Sequence, residues 1–230
     1  MVIESWKILW ERAMVAIDSL TPAFKTNVNW SFGGGTALRL FYDHRESKDI
    51  DIFVTDPYVI SGLSPRLNGV TERLTGDYSE QSNYLKLRFP EGEVDFIIGA
   101  RIVGDVAFAD RVVLGRPAKV ETPIEIVAKK CFYRADHFTA RDIFDLAVVI
   151  TEEPQSVKEH RSILLAKRRD LERRLNVMRV PAGADVSSLR RAADARRAVQ
   201  EQIDTIAARP GYESLKNSAI DTVFGFIEND

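Results

Sequence analysis

Cysteine is nearly absent from this 230-residue chain. The single thiol, Cys131, excludes an internal disulfide and agrees with a reducing compartment. It falls within an apolar helical pattern and is read as a core residue. Long apolar runs are also missing. No stretch approaches the roughly 18 uninterrupted apolar residues of a membrane span. Glu4, Lys7, Glu11 and Arg12 break the N-terminal pattern where a signal-peptide core would lie. A cytoplasmic protein without a membrane partner is therefore expected. Charge of one sign is not in excess: the formal net charge is −2, so the chain as a whole has no nucleic-acid-sized positive field. There is no internal repeat or low-complexity tract, and strand signals stop after Glu152.

The residues present are those of an ordinary globular protein, 45% apolar and 29% charged, with chain enough for one or two domains. The charge is unevenly placed. Residues 158–209 hold 13 Lys and Arg against 7 Asp and Glu, a balance of +6 against −8 elsewhere. Within that segment lie Lys167, Arg168, Arg169, Arg173 and Arg174, then Arg190, Arg191, Arg196 and Arg197, interleaved with acids and almost without aromatics. A solvated helix face is the first reading of this stripe, and an RNA-backbone surface is the sharper one.

Trp6, Leu9, Trp10, Ala13, Ile17 and Leu20 recur at helical spacing, predicting a helix over 5–20 stopped by Thr21-Pro22. A strand signal at Trp30–Phe32 runs into Gly33-Gly34-Gly35-Thr36 and a short helix. A second strand, Ile50–Val54, is closed by Thr55-Asp56-Pro57, and residues 64–75 read as a surface helix. Two strands flank Pro90–Glu93, and a further hairpin is expected across Gly115-Arg116-Pro117. Thr122-Pro123 and Thr139-Ala140 start two helices. Beyond Glu152-Glu153-Pro154 the pattern is helical over about 157–178, 187–208 and 212–228, with a break at Pro181–Ala184. The expected division is a core over 1–152 and a helical C-terminal region over 153–230.

The chemistry is concentrated early in the chain. Asp49 and Asp51 alternate along a β-branched run, so both carboxylates lie on one face and can reach one metal ion. The glycine turn before them brings backbone N–H groups to a helix start, where phosphate binds. Gly34 and Gly35 let the backbone approach, and the Thr36 hydroxyl can donate to a phosphate. Asp95 is a lone acid in an apolar strand, which is costly in a core. It lines a cleft or sits at an exposed edge, as a third metal ligand or as the group that orients an attacking hydroxyl. Lys130 and Arg134 share a helix face, a repulsive arrangement that is easier to understand with an anion between them, for which outer phosphates are a candidate. Asp142 and Asp145 lie on one side of the next helix, and Arg141 can pair with Asp145. A phosphate cradle followed by an acid pair is the layout that moving a nucleotidyl group from an NTP requires.

Gly34-Gly35-Thr36-Ala37-Leu38, the segment Arg45, Ser47, Asp49 and Asp51, then Lys130, then Arg141, Asp142 and Asp145 resemble the AbiEii/AbiGii family of nucleotidyl transferase toxins over about residues 30–150. The resemblance implies an α/β (α+β) fold of the DNA-polymerase-β-like nucleotidyltransferase type, a short mixed sheet flanked by helices, with a helical C-terminal region. It implies an NTP co-substrate and Mg²⁺ (or Mn²⁺) held by Asp49, Asp51 and Asp95. It places Lys130 and Asp142 in the catalytic set, and Arg45, Ser47, Lys130 and Arg134 beside Gly34, Gly35 and Thr36 in nucleotide binding. It also implies an RNA acceptor, the 3′ end of tRNA, and a cognate antitoxin in a toxin–antitoxin or phage-defence pair. Transfer to a protein or small molecule, and a non-catalytic nucleotide-binding module, are the alternatives.

Overall fold

The computed structural model describes residues 4–20, 28–177 and 186–229. They fall into two compact units, residues 1–41 with 47–122 and residues 42–46 with 123–230. The compositional boundary at 152/153 lies later than this division. The helix Ala140–Glu152 packs on the C-terminal helix Glu213–Glu228, so by packing it belongs with the helical region.

The first unit is built on a seven-stranded mixed sheet, as expected for this fold class. Its strands are β1 (Trp30–Gly33), β2 (Ile50–Val54), β3 (Tyr78–Gln81), β4 (Tyr84–Phe89), β5 (Gly92–Ile98), β6 (Phe108–Val113) and β7 (Arg116–Glu121), in the order β3-β4-β5-β2-β1-β7-β6. The β1–β7 and β2–β5 pairings are parallel, and the others are antiparallel. Alternation decides the faces. Ile50, Ile52 and Val54 of β2, with Phe32, Leu85, Leu87, Val94 and Phe96, form the buried face. Helix α1 (Ser5–Asp18) covers β2 and β5 there, and Trp10 packs on Phe32 with ring centroids 5.0 Å apart. The Thr21-Pro22 stop read for this helix lies outside the described residues.

Helix α2 (Gly34–Tyr42) follows β1 without a spacer. Asp56-Pro57, read as the close of a strand, is a helix start as well. The Asp56 carboxylate accepts from the Tyr58 N–H, and Pro57 opens helix α3 (Pro57–Leu63). Asn68 caps α4 (Gly69–Leu74) in the same way, shortening the helix expected over 64–75. The β6–β7 turn lies one step earlier than expected, at Leu114 and Gly115, both with positive φ, as a tight hairpin requires.

The second unit contains α5 (Pro123–Tyr133), α6 (Ala140–Glu152), α7 (Pro154–Glu159), α8 (Arg161–Leu164), α9 (Arg168–Asn176), α10 (Val186–Asp204) and α11 (Glu213–Glu228). The helix expected over about 157–178 is thus three shorter ones. The break expected at Pro181–Ala184 lies outside the described residues. Ile124, Val127, Ala128 and Cys131 of α5 are buried as their spacing predicts, and burial pushes the Cys131 thiol up to about 12. A complete capping box, Thr139 with Asp142, starts α6. Among the described residues, no helix is long and apolar enough to cross a membrane.

Candidate active site

In the first unit the strand register places the expected residues in one row. Gly33 is level with Asp51 across β1–β2, Asp51 with Asp95 across β2–β5, and Asp95 with Lys86 across β5–β4. Residues level on neighbouring strands share a face. The face with this row is opposite the buried one: Asp51, Asp95 and Lys86 are half-buried, while their strand neighbours Ile50, Ile52, Val94, Phe96, Leu85 and Leu87 are buried.

Gly34 has φ +70°, and an ideal Cβ on it would lie 1.9 Å from Asp51 Oδ2. Glycine is required there both for the turn and for the close approach of the carboxylate. A Cβ on Gly33 would lie 2.3 Å from Oε2 of Glu121. Glu121, fully buried, therefore extends the row onto β7, and its Oε1 accepts from the Ser31 hydroxyl at 2.9 Å.

Asp49 stands just ahead of β2, and its Oδ1 accepts from the Glu93 N–H at 3.0 Å. Thr36 is fully buried. Its hydroxyl donates to the Asp49 carbonyl at 2.6 Å and hydrogen-bonds the Ser47 hydroxyl at 3.0 Å. The single proton read as a phosphate donor is thus engaged inside the protein, where it ties the glycine turn to the acid segment. Lys86 Nζ lies 3.0 Å from Asp95 Oδ2 and also bonds Glu93. Burial opposes the Lys86 charge, but Glu93 and Asp95 outweigh it and hold the ammonium above its ordinary range.

The Asp95 carboxyl is pushed up, chiefly by burial, with Lys86 working against the shift and Glu93 and Asp49 adding to it. Its Oδ1 is shut off from solvent and has no hydrogen-bond partner among the described residues. That orphaned carboxylate oxygen, beside the all-oxygen donors of Asp49 and Asp51, fits a hard divalent cation. No group of three or more His, Cys, Asp or Glu side chains among the described residues is already arranged as a metal cage. The Asp49 carboxylate is held toward the Glu93 N–H, that of Asp95 toward Lys86, and that of Asp51 toward Gly34.

The second unit holds the remaining expected residues in a buried charge network. Arg45 grips Asp145 bidentately, Nε to Oδ1 at 2.6 Å and Nη2 to Oδ2 at 2.7 Å. His44 Nε2 lies 2.8 Å from the same Oδ1. Lys130 donates to Asp142 Oδ1 at 2.7 Å and to Asp145 Oδ2 at 2.8 Å, and Arg134 Nε is 3.3 Å from Asp142 Oδ2. The anion called for between Lys130 and Arg134 is therefore a protein carboxylate, Asp142.

The expected Arg141–Asp145 pair gives way to another arrangement, because both Asp145 oxygens are already taken by Arg45, His44 and Lys130. Burial works against the Asp145 charge, yet Arg45 and Lys130 hold its carboxyl well below the usual carboxylate range. Burial likewise opposes the Lys130 charge, which Asp145 and Asp142 keep above its ordinary range.

Arg141 is exposed and, with Arg134, Thr139, Gln202, Thr205 and Glu46, lines a cavity of about 600 Å³ within this unit. Residues 207–209 are stitched to 44–46. The Glu46 N–H donates to the Ala207 carbonyl at 3.2 Å, and the Arg209 N–H to the His44 carbonyl at 3.1 Å. Of the basic stripe, Arg168 pairs with Glu172 and Arg173 with Asp170 within α9, and Arg196 reaches Asp221 of α11.

Lys86, Glu93 and Glu121 escaped the sequence reading. Lys86 left one signal, a cation between two apolar residues of an alternating strand, the same signal that singled out Asp95.

The chain resembles solved nucleotidyltransferases at a distance. It is similar to ANT(2″)-Ia in complex with adenylyl-2″-tobramycin, at 17% identity and a TM-score of 0.47, over 70% of this chain and 98% of that one. It is also similar to MenT4, a nucleotidyltransferase toxin of Mycobacterium tuberculosis, at 15% identity and a TM-score of 0.39, over 94% of each chain. No curated protein matches it. The family model described as nucleotidyl transferase AbiEii toxin, type IV toxin–antitoxin system, matches residues 18–224. That span takes in the glycine turn, the acid row and the buried charge network, and the chain belongs to this family of nucleotidyltransferases.

Proposed function

We propose that the chain moves a nucleotide from an NTP to an RNA acceptor, the 3′ end of tRNA, and acts in this way as the toxin of a toxin–antitoxin or phage-defence pair. The observation that carries the reading is the row across the sheet, with Gly34 against Asp51, Asp51 level with Asp95, and Asp49 two residues before. The N–H groups at the start of α2 hold the triphosphate, since the glycine turn lets it approach. Asp49, Asp51 and Asp95 would hold Mg²⁺ or Mn²⁺, which when bound neutralises phosphate charge. The acceptor hydroxyl oxygen attacks the α-phosphorus, forming one P–O bond as the bond to the bridging oxygen breaks. Pyrophosphate leaves, and the hydroxyl proton passes to solvent water.

In the second unit Arg134 is half-exposed on the cavity and reaches Asp142. Lys130, Arg45 and Asp145 position Asp142 and the chain before Ser47. The acceptor is tested by incubating the protein with each labelled NTP, Mg²⁺ and total RNA. Label in RNA is expected, and label only in protein or in a small molecule would overturn the RNA reading.

Gly34→Ala is expected to cost on the order of 1–3 kcal/mol, from the positive φ and the clash with Asp51. Displacing that carboxylate should lower transfer by about 10²-fold. Gly76→Ala is the control, since its Cβ would meet nothing within 4 Å. Equal activity of the two variants would remove the glycine turn from the site.

A further inference from the structure

We propose that a second cavity in the first unit, of about 450 Å³, is a nucleobase pocket, holding a base against aromatic rings with its phosphate on Arg101 and Lys119. Phe53 and Phe108 supply the rings, and Asn29 stands with the two cations among the lining residues. The position follows from the register. Phe53 is two residues beyond Asp51 on β2, so its side chain is on the same face, about 7 Å along the strand. Phe108 is level with Glu121 across β6–β7, and Lys119 precedes Glu121 by two on β7, again on that face. A Cβ on Gly33 would meet both Glu121 Oε2 and, at 2.7 Å, the Phe53 ring, so the pocket wall and the acid row adjoin.

The lining selects the ligand. A purely apolar ligand would have no use for two cations at the wall, and a bare anion none for two rings. A base with its phosphate uses both. The volume is within the range of small-molecule sites. Lys119 Nζ is 5.9 Å from the Phe108 ring centroid, which brings cation and ring together. The Arg101 guanidinium reaches Asp105 only at 3.9 Å, with both side chains exposed, a pairing weak enough to yield to a phosphate. Phe53 and Phe108 are half-buried on the sheet.

The inference rests on the acid row being the transfer site. The base belongs either to the NTP or to a nucleotide of the RNA acceptor, and the experiment separates the two. Binding is followed by isothermal titration calorimetry with the full chain while titrating each NTP, a single-stranded RNA trinucleotide and ribose 5-phosphate. Nucleotide probes are expected to bind and ribose 5-phosphate is not. Phe108→Leu should weaken the bound nucleotide by about 5- to 150-fold, the range for loss of one base–aromatic stack. Arg101→Ala with Lys119→Ala, both exposed, should flatten the salt dependence by about 0.7 in log–log slope for each phosphate no longer neutralised.

Weakened NTP binding assigns the pocket to the donor, and weakened trinucleotide binding alone assigns it to the acceptor. Unchanged binding in both variants, no binding of any nucleotide, or equal binding of ribose 5-phosphate overturns the proposal. Binding and transfer are read separately. Binding without transfer in the wild type would therefore sink the transfer reading and leave the pocket, whereas transfer with unaltered variants would do the reverse.

Discussion

Asp51→Asn is expected to reduce nucleotide transfer by at least about 10³-fold, a loss of roughly 4 kcal/mol of transition-state stabilisation, with the unfolding transition unmoved. The first half follows from position. Asp51 is at the centre of the row, level with Gly33 on one side and Asp95 on the other, with Oδ2 against the glycine turn where phosphate would enter. Asn keeps the shape and removes the charge, so what is lost is neutralisation of the triphosphate, not packing. The second half follows from shape. Asp51 is half-buried, and Asn in its place opens no cavity and adds no bulk. Transfer of labelled nucleotide, with thermal unfolding and circular dichroism of the same preparation, measures both. Activity within 10-fold of wild type would take Asp51 out of the site. Lost activity with a lowered unfolding transition would mean a structural role instead.

Much of this row was legible from the sequence and part of it was not, for definite reasons. The alternation Ile50, Asp51, Ile52, Phe53, Val54 fixes which side chains share a face, because the period of a strand is two. The glycine triplet before a helical pattern marks a turn at a helix start. Nothing local, however, says that β2 pairs in parallel with β5, some forty residues on, or in which register. The level placement of Asp51 and Asp95 is therefore visible only in the folded sheet. Glu121 lies still farther along, and an acid at the end of a hairpin strand looks like any solvated one.

Asp56-Pro57 shows a different limit. The dipeptide that ends a strand is also a cap followed by a first helical residue, and seven residues of helix were hidden behind it. Strand β3, Tyr78–Gln81, carries polar side chains at an edge and has no apolar period to find. In the second unit, like charges at Lys130 and Arg134 called for an anion, and spacing could not show that Asp142 of the next helix supplies it.

Asp145→Asn should lower stability by about 3–5 kcal/mol, the cost of breaking a buried ion pair by removing one partner. Asp145 is fully buried, and its carboxylate is bonded to Arg45 through both oxygens, to Lys130 and to His44. An amide accepts through one oxygen only and carries no charge, so the buried Arg45 guanidinium loses its bidentate partner and Lys130 keeps Asp142 alone. The pH dependence gives a second, independent signature. The folded pKa of Asp145 is depressed, so its contribution is fully present above the unfolded value of about 3.9 and is lost as pH falls through the lower folded value. Wild type should therefore lose this stability below about pH 4, and the variant should lack that part of the acid limb.

Denaturant unfolding of both proteins between pH 3 and 7 reads the difference, with Arg168→Ala as a surface control expected within about 0.5 kcal/mol. Should Asp145→Asn fail to fold, Lys130→Met in the same background restores part of the loss if the cost is uncompensated positive charge, because Arg134 and Thr139 still serve Asp142. A loss under about 1 kcal/mol, or an unchanged acid limb, would mean that the network around Asp145 contributes no more than an exposed pair.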